Sequence, residues 1–154
     1  ILSTCEEALG VFWCPASLVV QPALFVDFAT QILPHEPPLY IWLDMRVGAN
    51  PDGTTSGFTH GMESLGLMEF ETQDARDSPA ELRERFLGLA SYLLEKGPVI
   101  QDGDTIGEND RDRIRVVYAN SVVGHEHKVM RLEYGAAPVA TKKPWWPFKG
   151  TPNG

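Results

Sequence analysis

Residues 78–97, SPAELRERFLGLASYLLEKG, decide the fold, because they are the one stretch where every local signal agrees. Ser78 with Glu81 three residues later forms a capping-box pattern, Pro79 suits the first helical position, and Gly97-Pro98 stops the run. Leu82, Phe86, Leu89 and Leu93 recur at helical spacing, so they form a core-facing stripe, with Arg83, Glu84 and Arg85 towards water. A helix with one apolar face must cover something, and its flanks supply strands. Upstream, LMEFET (67–72) alternates Met68 and Phe70 with Glu69 and Glu71, which predicts a half-buried strand. Downstream, RIRVVY (113–118) and KVMRLEY (128–134) predict two strands joined by ANSVVGHEH (119–127).

Further out, LYIWLDMRVG (39–48) follows Pro34, Pro37 and Pro38 and alternates, which predicts a central amphipathic strand. It leads through ANPDGTTSG, with Asp52-Gly53 as the tight corner, into a hairpin returning through GFTHG. Pro22 opens a helix in which Leu24, Phe25, Phe28 and Ile32 share a face, and VFWC and SLVV around Pro15 predict short strands. STCEEALG (3–10) predicts the last turns of a helix ending at Gly10. These elements predict an α+β fold: a mainly antiparallel sheet with about three helices packed on one face. The expected organisation is one domain over residues 1–134, truncated at its N-terminus, followed by a Pro, Lys and Trp rich tail over 135–154.

Composition excludes several classes. With 43% hydrophobic and 22% charged residues in 154, the chain is neither disordered nor fibrous. Its longest apolar runs are a few residues against the roughly 20 needed to cross a bilayer, so no membrane partner is expected. Thirteen Lys and Arg against 21 Asp and Glu give a net charge of −8, which repels phosphate backbones and disfavours nucleic acid. Only Cys5 and Cys14 are present, without a metal spacing. Cys14, inside VFWCP, is expected to behave as a small buried hydrophobe, and two cysteines are no disulfide scaffold, so a cytoplasmic location is expected.

Few residues suggest chemistry. His60 sits between Thr59 and Gly61, where glycine permits close approach of a ligand, and Glu63, Glu69 and Glu71 could serve as general acids or bases beside it. Thr59, Ser64 or Cys14 are the nearest nucleophiles, but no nucleophile elbow, P-loop or dinucleotide fingerprint is present. QDGDTIGENDRD (101–112) begins like a calcium loop at Asp102 and Asp104, but Ile106 and Arg113 stand where oxygen ligands belong. The turn reading has both aspartates accepting backbone N–H bonds while Ile106 anchors the loop. His125 and His127 flank Glu126 and, in extended backbone, could chelate a divalent metal with a third ligand; no other cofactor is expected. Trp145 and Trp146 in KKPWWPFKG are costly to leave in water and are expected to dock, on this domain, in a partner's groove or on a second copy as a dimer.

With those residues in view, LYIWLDMRV, FTHGMESLGLMEFE, the capped helix, GPVIQDGDTIG and RIRVVY resemble the bacterial family known as domain of unknown function 4261. The resemblance covers about residues 6–134, as the C-terminal portion of the family, whose members are generally longer at the N-terminus; the Trp-rich tail departs from it. The family brings no catalytic residues or cofactors. Two readings follow. One is a small cytoplasmic bacterial binding protein with a protein partner, in the manner of an immunity-like inhibitor of a toxin. The other is a hydrolase or metal-assisted enzyme that brings THGMES and DGDTIG together.

Overall fold

The computed structural model describes residues 7–107 and 113–135. A two-stranded hairpin comes first, β1 (Val11–Trp13) against β2 (Leu18–Val20), closed by a 3-10 turn at Cys14–Ala16. Cys14 is exposed, contrary to expectation: the turn places Ala16 inward instead, fully buried against Gly61. Helix α1 (Pro22–Asp27) starts at Pro22 as expected and runs on as a π turn over Phe28–Ile32. The helix expected over 3–10 falls mostly outside the described residues, and Glu7–Gly10 is a turn and irregular chain.

The run 39–48 is not one strand. Leu39–Trp42 form a single helical turn, α2, and only Asp44–Ala49 extend, as β3. The prolines cause the split: the Pro38 carbonyl accepts from Ile41 and Trp42 at 3.0 and 3.2 Å, so the turn closes before Leu43 becomes extended. Leu39 and Leu43, four apart, both reach the core. Nor is β3 central. The six-stranded sheet has the order β3, β4 (Thr55–His60), β5 (Phe70–Ala75), β8 (Lys128–Tyr134), β7 (Ile114–Asn120), β6 (Thr105–Ile106), which puts β3 at an edge. The hairpin corner is as read: Gly53, at φ +87°, donates to the Asn50 carbonyl at 3.0 Å.

The sheet is mixed, not mainly antiparallel. Strand β5 pairs with β8 in parallel, Phe70 opposite Met130, while β3 with β4, β4 with β5, β8 with β7 and β7 with β6 pair antiparallel. Parallel neighbours need a long crossover, and α3 (Pro79–Lys96) supplies it. Its capping box is formed, with the Ser78 N–H donating to Glu81 Oε2 at 2.8 Å, and its Gly97 N–H closes on the Leu93 carbonyl at 2.8 Å. The expected stripe Leu82, Phe86, Leu89 and Leu93 is buried and packs with Met45, Phe70, Val116, Met130 and Leu132 of the sheet. Fully burying such side chains stabilises by about 1.5–3 kcal/mol each. Gly57 is where helix and sheet come closest: a Cβ there would lie 3.0 Å from Leu82 Cδ2 and 3.0 Å from the Arg46 carbonyl.

Candidate functional site

Strand alternation sorts residues between the α3 side and the opposite, open face. Because Gly57 lies under α3, its neighbours Phe58 and His60 point to the open face, as do Asp44 and Arg46, their partners on β3. The Arg46 guanidinium lies over the Phe58 ring at 5.8 Å and its Nε bonds Asp44 Oδ2 at 2.7 Å. His125 comes to the same place from the β7–β8 loop. Its ring stacks on His60, with centroids 5.6 Å apart and planes 21° off parallel, and meets the edge of Phe58 at 6.1 Å. Arg46, Phe58, His60 and His125 thus form one continuous patch.

Two buried carboxylates fix the loops that border this patch. LMEFET does not alternate between core and water as read, for Glu69 and Glu71 are 2% and 0% exposed. Strand β5 has neighbours on both sides, and loops cover its open face. Glu69 accepts from the Thr59 hydroxyl at 2.7 Å, the Gly61 N–H at 2.7 Å and the Glu63 N–H at 3.3 Å, so it clamps the turn that follows His60. Gly61 allows that turn: its φ is +114°, and a Cβ would strike the Trp42 carbonyl at 2.9 Å. Glu71 accepts from the Ser121 hydroxyl and from the Val122 N–H at 3.0 Å. Ser121 Oγ in turn accepts from the backbone N–H groups of Val123, Gly124 and His125 at 3.0–3.1 Å. One carboxylate therefore fixes the loop bearing Glu63, and the other the loop bearing His125 and His127.

The remaining candidates are placed as follows. His127 pairs with Glu63 at 3.2 Å while His125 stacks on His60, so the two histidines take different partners, and loop backbone replaces the extended segment that chelation required. Among the described residues, no group of three or more His, Cys, Asp or Glu could hold a metal ion. Asp104 acts as a turn acceptor, as read, while Asp102 ties the turn to β7. Asp102 Oδ1 accepts from the Tyr118 N–H at 2.8 Å, Asp104 Oδ2 accepts from the Gln101 N–H at 2.9 Å, and Ile106 is buried beneath them. That turn adjoins β6 and β7, and three strands separate β6 from the His60 strand, so THGMES and DGDTIG do not share a site. Trp145 and Trp146 lie outside the described residues.

Sequence reading missed Arg46 and Phe58 as parts of the patch and Ser121 as the anchor of the loop that carries His125. The alternation that set Arg46 opposite Met45 was the signal available for it; nothing local marks Ser121 as a partner for a residue 50 positions away.

Residues 58–133, from within β4 almost to the end of β8, match the family described as Domain of unknown function (DUF4261). The match lies mid-chain and is narrower than the resemblance over 6–134, leaving LYIWLDMRV outside. The DUF4261 segment contains Phe58, His60, both buried carboxylates and the loop carrying His125, whereas Arg46 comes from the preceding strand. No curated protein and no solved structure matches the chain at a significant level. Among the described residues, no helix is long and apolar enough to cross a membrane.

Proposed function

We propose that this domain is a protein-binding module whose contact surface is the open sheet face around Arg46, Phe58, His60 and His125. The observation that carries this reading is the fixed loop: the buried Glu71 carboxylate spends its hydrogen bonds on the β7–β8 loop, which sets the His125 ring against the strand-held Phe58 and His60 beside Arg46. An arginine over an aromatic ring, with further rings packed beside it, is the composition of interface hot spots, and a prearranged surface loses little entropy on binding. The net charge of −8 favours a basic partner through steering. A basic toxin neutralised in the bacterial cytoplasm has that chemistry. The hydrolytic alternative requires His60 and Asp104 in one site, and the sheet order weighs against it.

Affinity capture from the source cell, followed by titration of the purified partner, tests the reading. A stoichiometric basic protein bound by the wild type and weakened about 30-fold by Arg46→Ala or Phe58→Ala, the effect of losing one hot-spot side chain, is the expected result. Absence of any stoichiometric partner, or a partner whose affinity neither substitution changes, refutes it.

A further inference from the structure

A second surface lies away from the open face. Between the π turn and α2 on one side and one flank of α3 on the other runs a groove of about 580 Å³, with Phe28, Ile32, Leu39, Tyr40, Leu87 and Leu94 on its walls. That volume is in the range of sites that enclose a drug-sized ligand or a few aromatic side chains. Phe28 and Tyr40 meet edge to face at 6.5 Å, and the Tyr40 hydroxyl donates to Glu84 at 3.2 Å. Glu36 and Glu95 stand at the lip, and no Lys or Arg is among the lining residues. The chain beyond Gly135 has the complementary chemistry. Residues 136–154 contain Trp145, Trp146 and Phe148, with Lys142, Lys143 and Lys149 beside them and no acidic residue.

We propose that this groove is an intramolecular docking site for Trp145-Trp146-Pro147-Phe148. The route fits. Strand β8 ends at Tyr134, whose hydroxyl donates to Asp77 Oδ2 at 2.6 Å, so the chain leaves the sheet beside the start of α3. At 1.5 Å rise per residue, Leu87 and Leu94 lie about 14 and about 24 Å along the helix from Ser78. Residues 136–144 span about 30 Å when extended, enough to reach the far end of the groove. Pro144 and Pro147 favour extended backbone, in which four residues cover about 12 Å, close to the roughly 10 Å between Leu87 and Leu94. Burial of two indoles and a phenyl ring supplies the attraction, and the lysines meet the acidic lip to set the direction of the segment. A short tether raises the local tail concentration to the millimolar range, which favours the chain's own tail over that of a second copy.

The test is fluorine NMR of the full chain labelled with 5-fluorotryptophan, with light scattering on the same samples. Resonances assigned through Trp145→Phe and Trp146→Phe should stand away from the position of a free 142–150 peptide while the protein is monomeric. Ser91→Arg fills the groove from an exposed helix position without removing a core side chain, and should return both to the free-peptide position with the far-UV spectrum unchanged. Leu94→Gln, which weakens one wall, should move them in the same direction. Free-peptide shifts in the wild type, shifts unmoved by both groove variants, or shifts that leave the free position only where light scattering finds a dimer would each overturn the proposal, the last by assigning the groove to a second copy.

Discussion

Replacing Glu69 with alanine removes the acceptor for three donors at once, and the structure sets the size of the effect. The Thr59 hydroxyl and the Gly61 N–H are both buried and both 2.7 Å from the carboxylate. Leaving a buried donor unsatisfied costs about 1–3 kcal/mol, so these two give about 2–6 kcal/mol. The alanine variant no longer buries a polar carboxyl group, which returns part of that cost, and the net expected loss is about 3 kcal/mol. Against a total stability of about 5–15 kcal/mol the variant still folds. In urea unfolding followed by circular dichroism, with a slope of about 2 kcal/mol per M, the midpoint should fall by about 1.5 M. Thr59→Val breaks the same contact from the other side and also orphans the Phe70 N–H, which donates to the Thr59 hydroxyl at 2.8 Å. The two substitutions should therefore couple by at least about 1 kcal/mol in a double-mutant cycle. A loss below about 1 kcal/mol for Glu69→Ala, or strict additivity with Thr59→Val, would refute the clamp.

Gly57→Ala should destabilise by about 1–3 kcal/mol in the same assay, because its Cβ meets backbone and Leu82 together at 3.0 Å; an unchanged midpoint would mean that α3 can lift freely. Asp77, which accepts from Arg85 Nε at 2.6 Å and from Tyr134, should govern the acid limb of stability. Burial pushes its carboxyl up, but the bonds from Arg85 and Tyr134, with the Arg85 charge, together hold it below the usual carboxylate value. Its contribution is therefore complete above the unfolded value of about 3.9 and is lost as the pH falls through the lower folded one, so Asp77→Asn should flatten the fall in urea midpoint on acidification. The Tyr134 phenol is pushed up by burial and by donation to Asp77, so its contribution is complete below about pH 10 and declines above it. Tyr134→Phe should remove that alkaline decline, and an unaltered slope in either variant would discard the linkage.

Much of the fold was written locally. The capping box, Pro79 and Gly97 delimit α3 through contacts within a few residues, and the apolar spacing of its stripe names the side that packs. The Asp52-Gly53 corner and the turn-acceptor role of Asp104 are likewise short-range chemistry, whereas Asp102 reaches a strand 16 positions away. What the sequence could not fix depends on which strands become neighbours. A carboxylate on an alternating strand reads as solvated, yet Glu69 is buried because the preceding β4–β5 connection closes on it, and Glu71 because a loop 50 positions away folds over β5 and donates to it. The same applies to β3: its alternation shows an amphipathic strand but not whether one neighbour or two flank it, and Pro38 turned its first half into helix. His60 was legible as a candidate from its glycine neighbour. Its stacking on His125 was not, because that contact joins positions 65 residues apart and exists only once β5 and β8 lie side by side.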